Sequence, residues 1–124
     1  MKVPSTDILA VGIDPAKRSH HGVALVYPEV KLISKKIENN YQAIMEFDRI
    51  VEKIAQEKGL HLIYGLEDSG AYGKPLKEFL LEKERIVLEV NPLKTNRQKD
   101  FYGQDKSDQI DARCVASIVL RFHD

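Results

Sequence analysis

The hydrophobic positions change period along the chain, and each change marks an element. Ile8-Leu9-Ala10-Val11-Gly12-Ile13 is a continuous apolar run, short and β-branched, which predicts a strand buried on both faces. The polar stretch from Asp14 to His21 predicts a turn into a second strand, Gly22-Val23-Ala24-Leu25-Val26-Tyr27, with the next turn at Pro28-Glu29. Val30, Leu32 and Ser34 then alternate with Lys31, Ile33 and Lys35, a weaker strand with a polar face suited to a sheet edge. Three strands joined by short turns read as an antiparallel meander.

Between Tyr41 and Lys58 the period lengthens. Ile44, Phe47, Val51 and Ile54 step by three and four among charged residues, which predicts an amphipathic helix ended by Gly59. Leu60 to Leu66 predicts a fourth strand, stopping at Glu67-Asp68-Ser69-Gly70. Pro75 suits the first turn of a short helix carrying Leu76, Phe79 and Leu80. Arg85 to Val90 predicts a fifth strand, closed by Asn91-Pro92, and strand-helix-strand order implies parallel pairing with right-handed crossovers. Leu93 to Lys106 has no apolar period and reads as a loop. A last helix is expected from Asp108 to Phe122, with Ile110, Cys114, Val115, Ile118 and Phe122 facing inward. The expected fold is α/β, a mixed five-stranded sheet with flanking helices in the ribonuclease-H-like order, which other α/β folds also share.

Composition narrows the function classes. The chain has 124 residues, 43% hydrophobic and 31% charged, enough for one folded domain. Nineteen basic residues balance nineteen acidic ones, which argues against a basic nucleic-acid coat or a polybasic membrane binder and leaves room for a local patch. The single cysteine, Cys114, excludes an intrachain disulfide and a cysteine-based zinc cage and fits a reducing cytosol. No apolar run is long enough to span a bilayer, so a cytoplasmic protein is expected.

Four acids fall at the ends of these elements. Asp14 ends the first strand, Glu67 ends the fourth, and Asp108 and Asp111 open the last helix. If the first and fourth strands are parallel neighbours, their carboxyl ends lie side by side, where open α/β sheets bind ligands. Residues three apart on a helix share a face, with Cβ atoms about 5–6 Å apart, so Asp108 and Asp111 can address one point. Four clustered carboxylates repel one another unless cations sit among them, and hard oxygen donors favour magnesium or manganese over zinc. Two such ions suit a phosphodiester, where one activates the nucleophile and the other stabilises the leaving oxygen. Basic residues flank these acids: Lys17 and Arg18 after Asp14, Lys74 after the Glu67 loop, and Lys94, Arg97, Lys99 and Lys106 before the last helix. With Tyr72, Phe101 and Tyr102 among them, they form a candidate nucleic-acid surface.

Each residue also has an ordinary reading. Asp14 before Pro15 can start a turn, Glu67 can be a solvated strand end or a cap, Asp105 can cap the last helix with Asp108 favoured by its dipole, and Asp111 can be a solvated helix residue. The basic stretch can be a solvated loop. His20 and His21 point in different directions on an extended chain and read as surface or turn histidines, His61 sits at a strand start, and His123 lies in the tail. Cys114 reads as packing. Gly70-Ala71-Tyr72-Gly73-Lys74 lacks phosphate-loop spacing, which argues against an ATPase.

Four stretches together resemble a known family: Gly12-Ile13-Asp14-Pro15-Ala16-Lys17, Leu66-Glu67-Asp68-Ser69-Gly70-Ala71-Tyr72-Gly73, Val90-Asn91-Pro92, and Lys106-Ser107-Asp108-Gln109-Ile110-Asp111-Ala112-Arg113. Over nearly the whole chain they are similar to the N-terminal RuvC-like domain of the DEDD insertion-sequence transposases, the bridge-RNA-guided recombinases. The resemblance implies a RuvC-like fold and a metal-binding tetrad of Asp14, Glu67, Asp108 and Asp111. It also implies DNA cleavage and strand transfer during transposition, with DNA, a structured guide RNA and further copies of the protein as partners. Members carry a second, C-terminal domain with a nucleophilic serine; the sequence here ends soon after the last helix, so a piece of such a protein is expected. Asp68-Ser69 and Pro15 depart from the commoner residues of the motifs. Two other readings stand beside it, a stand-alone RuvC-like junction endonuclease and a non-catalytic RNA- or DNA-binding module.

Overall fold

The computed structural model describes residues 3–67, 70–90 and 108–123, without the side chains at 70, 71 and 108–111. Its centre is a five-stranded mixed sheet in the order β3-β2-β1-β4-β5. Strands β1 (Ile8–Asp14), β2 (Ser19–Val26) and β3 (Val30–Glu38) form the antiparallel meander. Helix α1 (Tyr41–Lys58) then crosses to β4 (His61–Glu67), and α2 (Lys74–Glu82) crosses to β5 (Ile86–Val90), both strands parallel to β1. Helix α3 (Asp108–Phe122) follows. This is the mixed sheet with flanking helices expected from the sequence. No helix among the described residues is long and apolar enough to cross a membrane.

The continuous apolar run of β1 reflects its place between two helical layers. Leu9, Val11 and Ile13 pack with Phe47 and Val51 of α1 and Leu76 and Leu80 of α2, while Ile8 and Ala10 pack with Ala116, Val119 and Leu120 of α3. Every residue from Ile8 to Ile13 is therefore buried. Helix α1 starts where the Asn40 side chain accepts a hydrogen bond from the Ala43 N–H at 2.8 Å, and ends at Gly59, whose φ of 65° favours glycine. In β3 the pairing passes from Ala24–Ile33 to Leu25–Lys31, leaving Leu32 as a bulge that breaks strict alternation.

Helix α3 approaches the sheet through two glycines. Gly12 and Gly65 are register neighbours on β1 and β4. A Cβ at Gly12 would strike the Ala112 carbonyl oxygen and the Ala116 backbone nitrogen, and would lie 2.9 Å from the Ala116 Cα. A Cβ at Gly65 would strike the Val119 side chain and lie 3.0 Å from Val115 Cγ1. The helix runs antiparallel to β1: Ala112 lies over Gly12, whereas at the other end the Ser5 hydroxyl donates to the Leu120 carbonyl at 2.9 Å. His123 Nε2 donates to the Val3 carbonyl at 2.5 Å, so this residue fastens the end of α3. Cys114, Val115 and Ile118 are buried as expected, but Phe122 is 60% exposed, because the face of α3 that meets the sheet ends on Val119 and Leu120.

A buried charge network braces the face of the sheet covered by α1. Asp48 of α1 is 2% exposed and accepts hydrogen bonds from the Tyr64 hydroxyl at 2.6 Å and from Arg85 Nε and Nη2 at 3.0 and 2.7 Å. Arg85 also donates to Glu52. Burial and the adjacent Asp48 charge push the Tyr64 hydroxyl far above its ordinary range, keeping it a neutral donor. The hydrogen bond to Asp48 likewise raises Arg85.

Gly12→Ala should destabilise the fold by about 3 kcal/mol or more, since backbone must move, and Gly65→Ala by less, since a side chain can yield. Truncating Val119 to Ala should recover part of the Gly65→Ala loss and none of the Gly12→Ala loss in denaturant titrations. Arg85→Met should cost about 3 kcal/mol by leaving Asp48 buried without its cation, and the Arg85→Met/Asp48→Leu pair should cost less than the sum of the single changes.

Candidate functional site

Asp14 and Glu67 are the last residues of neighbouring parallel strands, one step beyond the Ile13–Leu66 pair. Strand side chains alternate between faces. Asp14 therefore shares a face with Gly12, and Glu67 with Gly65, which is the face covered by α3. Both acids are half-buried. Because α3 runs antiparallel to β1 with Ala112 over Gly12, its first turn, Asp108 to Asp111, lies toward the same end of the sheet. The backbone thus brings the three acid-bearing segments together, while the side chains of Asp108 and Asp111 lie outside the described residues. Among the described residues no group of three or more His, Cys, Asp or Glu side chains is placed to hold a metal ion. Asp14 and Glu67 offer hard oxygen donors, a set suited to magnesium or manganese.

Adjacent strands extend this row. His21 pairs with Asp14 in the antiparallel register, and Val90 pairs with Glu67 in the parallel one. On β3, Lys36 pairs with His21. His21 Nε2 and the Ser34 hydroxyl are hydrogen-bonded at 2.8 Å. The row across the sheet at this end is therefore Lys36, His21, Asp14, Glu67 and Val90.

The loops after the two acids touch. Pro15 is buried, and a Cβ at Gly73 would lie 3.1 Å from its Cγ and 3.7 Å from Leu66 Cδ2. The turn Gly70–Gly73 thus sits on the loop after β1. Lys17, Arg18, Lys74 and Tyr72 are exposed at this end of the sheet. Lys94, Arg97, Lys99 and Lys106, with Phe101 and Tyr102, lie outside the described residues.

Neither histidine lies in a turn, and His20 is not on the surface. Strand β2 begins at Ser19, and His20 pairs with Ile37 of β3. Polar residues continue the strand because pairing with β3 extends through His20 to Ser19, with β1 joining at His21. His20 is 1% exposed. Its Nδ1 accepts the Ala16 N–H at 3.1 Å, so Nε2 carries the proton and donates to Asn39 Oδ1 at 3.1 Å. Burial lowers the His20 pKa, and the Asn39 hydrogen bond opposes that shift in part. His61 is exposed at the start of β4, as expected. Neither the His20 contacts nor the Asp48 network had a sequence signal, since both depend on partners distant in the chain.

The family model of the IS110-type DEDD transposases, described as Transposase, matches residues 11–124. No curated protein matches the chain.

The lowered His20 pKa sets a pH dependence whose sign follows from linkage. The unfolded chain takes up a proton near pH 6.5, the ordinary value, before the folded one does. The His20 contribution to stability is therefore complete above that pH and declines as pH falls below it. Unfolding free energies measured across pH 7 to 5 should fall less steeply for His20→Gln than for the unaltered chain, by about 1 kcal/mol or less over that span. Equal slopes would remove His20 from this account.

Proposed function

Because the chain belongs to the IS110-type DEDD transposase family, we propose that it is the catalytic domain that cleaves and transfers DNA strands, with Asp14, Glu67, Asp108 and Asp111 as carriers of divalent cations. The observation that carries this reading is the placement of Asp14 and Glu67 side by side at the ends of parallel strands, with the first turn of α3 at the same end. Magnesium, with manganese as a substitute, fits a set of carboxylate oxygens. Such ions, when bound, supply charge that activates an attacking oxygen and stabilises a leaving oxygen at phosphorus.

The residues of the chain itself divide the remaining work. Asp14 and Glu67 hold oxygen-seeking ions at the edge of the core, where solvent screens less than at the open surface. Asp108 and Asp111 stand in the first turn of α3, where the helix dipole favours ionised carboxylates. Lys17, Arg18 and Lys74, with Lys94, Arg97, Lys99 and Lys106, neutralise the phosphate backbone and hold it over the acids. Tyr72, half exposed beside Lys74, is available for stacking on a base.

Resemblance to the bridge-RNA-guided members adds a structured RNA, further copies of the protein and a serine-bearing second domain to the proposed assembly, acting in the cytoplasm. The family match favours this reading over a stand-alone junction endonuclease and over a non-catalytic binding module.

Thermal unfolding in excess magnesium or manganese, compared with chelator, tests the carboxylate site. The ions should raise the melting temperature by several degrees, following the binding linkage. Asp14→Asn and Glu67→Gln should each abolish that rise and, in chelator, melt at or above the unaltered chain because repulsion is relieved. A melting temperature indifferent to both cations, with either substitution destabilising in chelator, would leave these acids as caps and turn residues and overturn the proposal.

A further inference from the structure

The loop between β1 and β2 follows Asp14 directly and carries the exposed cations Lys17 and Arg18. Exposed loops with two long side chains are ordinarily free to move. Here three consecutive residues of the loop are fastened through their backbones. The Ala16 N–H donates to His20 Nδ1 at 3.1 Å, the Lys17 carbonyl accepts from Asn39 Nδ2 at 3.1 Å, and the Arg18 carbonyl accepts from the Asn39 N–H at 3.0 Å. His20 Nε2 donates to Asn39 Oδ1 at 3.1 Å, which closes the circuit.

The polarity of this circuit has one solution. A backbone N–H can only donate, so His20 Nδ1 must be the bare nitrogen and Nε2 must carry the proton. A carbonyl can only accept, so Asn39 must turn its amide nitrogen to Lys17 and its oxygen to His20. The two backbone ends therefore fix the tautomer of the histidine and the orientation of the asparagine, and the two requirements agree. On the other side, Pro15 is buried against Gly73. The loop is held from both flanks, while the side chains of Lys17 and Arg18 remain in solvent.

We infer that His20 and Asn39 are positioning residues, which hold the backbone of the Lys17-Arg18 loop so that its two cations meet the phosphates of a nucleic acid without the loop first being ordered. The inference rests on the nucleic-acid reading above and assigns it two residues that touch no substrate. Pre-ordering matters because each immobilised long side chain and loop residue otherwise subtracts from affinity.

Two measurements test it. Amide hydrogen exchange should show Ala16 protected in the unaltered chain and exposed in Asn39→Ala and His20→Leu, with β1 and β4 unchanged, and the imidazole nitrogen shifts should report the Nε2–H tautomer. Duplex DNA binding at moderate salt should weaken by about tenfold in Lys17→Ala/Arg18→Ala. Asn39→Ala, half-buried and therefore mild for folding, should weaken it several-fold and add little when combined with the Lys17→Ala/Arg18→Ala pair. His20→Gln, which can both accept and donate, should restore much of what His20→Leu loses. Asn39→Ala binding as well as the unaltered chain while the Lys17→Ala/Arg18→Ala pair binds weakly, or an unprotected Ala16 amide in a chain that binds DNA, overturns the positioning role alone. No DNA binding by the unaltered chain overturns the nucleic-acid reading, and the positioning role with it.

Discussion

The backbone of α3 resting on Gly12 and Gly65 is the contact on which the remaining architecture depends. Two adjacent strands without side chains at one level make a groove in the sheet, and only there can a helix come near enough to place its own peptide groups against β1. That approach seals the second face of the central strand. It also determines where the ends of the helix fall, because Ala112 and Ala116 can seat on Gly12 in one direction only, with Leu120 and His123 fastened to Ser5 and Val3. The acidic first turn of α3 lies toward the Asp14 end of the sheet as a result of packing in the turn that follows it. The carboxylate end of the sheet is thus organised by small residues that bear no charge.

The sheet uses charge in two different ways. At one end Asp14 and Glu67 share a strand-end position, and the basic residues around them are exposed. On the face covered by α1, Asp48 is enclosed and fully engaged by Tyr64 and Arg85, which makes it a tie between α1, β4 and the turn before β5. A carboxylate engaged by a hydroxyl and a guanidinium inside the protein is committed to that tie, whereas two acids on neighbouring strand ends lie together at the margin of the core. The same side-chain chemistry serves anchorage in one place and a candidate site in the other, and the difference lies in the neighbours.

Much of this was legible in the chain because it is written in short-range pattern. The unbroken apolar run of β1, the three-and-four spacing of α1 and the Gly59 stop are local signals, and they led directly to the parallel strands whose ends carry Asp14 and Glu67. What escaped was set by distant partners. Asp48 lies one residue from Phe47 on the helix and reads as part of a polar face until Tyr64 and Arg85 meet it. His20 and His21 look like turn residues until β1 and β3 draw them into a strand. Gly12 and Gly65 look like interruptions in apolar runs, since a glycine does not announce what approaches it. Phe122 followed the helical period but lay past the end of the contact face, a limit belonging to the sheet rather than to the helix.

Asn39 and Asn40 are consecutive and have opposite duties: one side chain reaches back to the loop after β1, and the next caps α1. The chain bends tightly at Asn39, where the Asn40 N–H donates to the Glu38 carbonyl at 2.8 Å, and is extended at Asn40, so the two side chains leave in different directions. One residue added or removed at this junction would move at least one of the two off its partner. The connection between β3 and α1 is therefore a counted length, and kindred chains should keep its span.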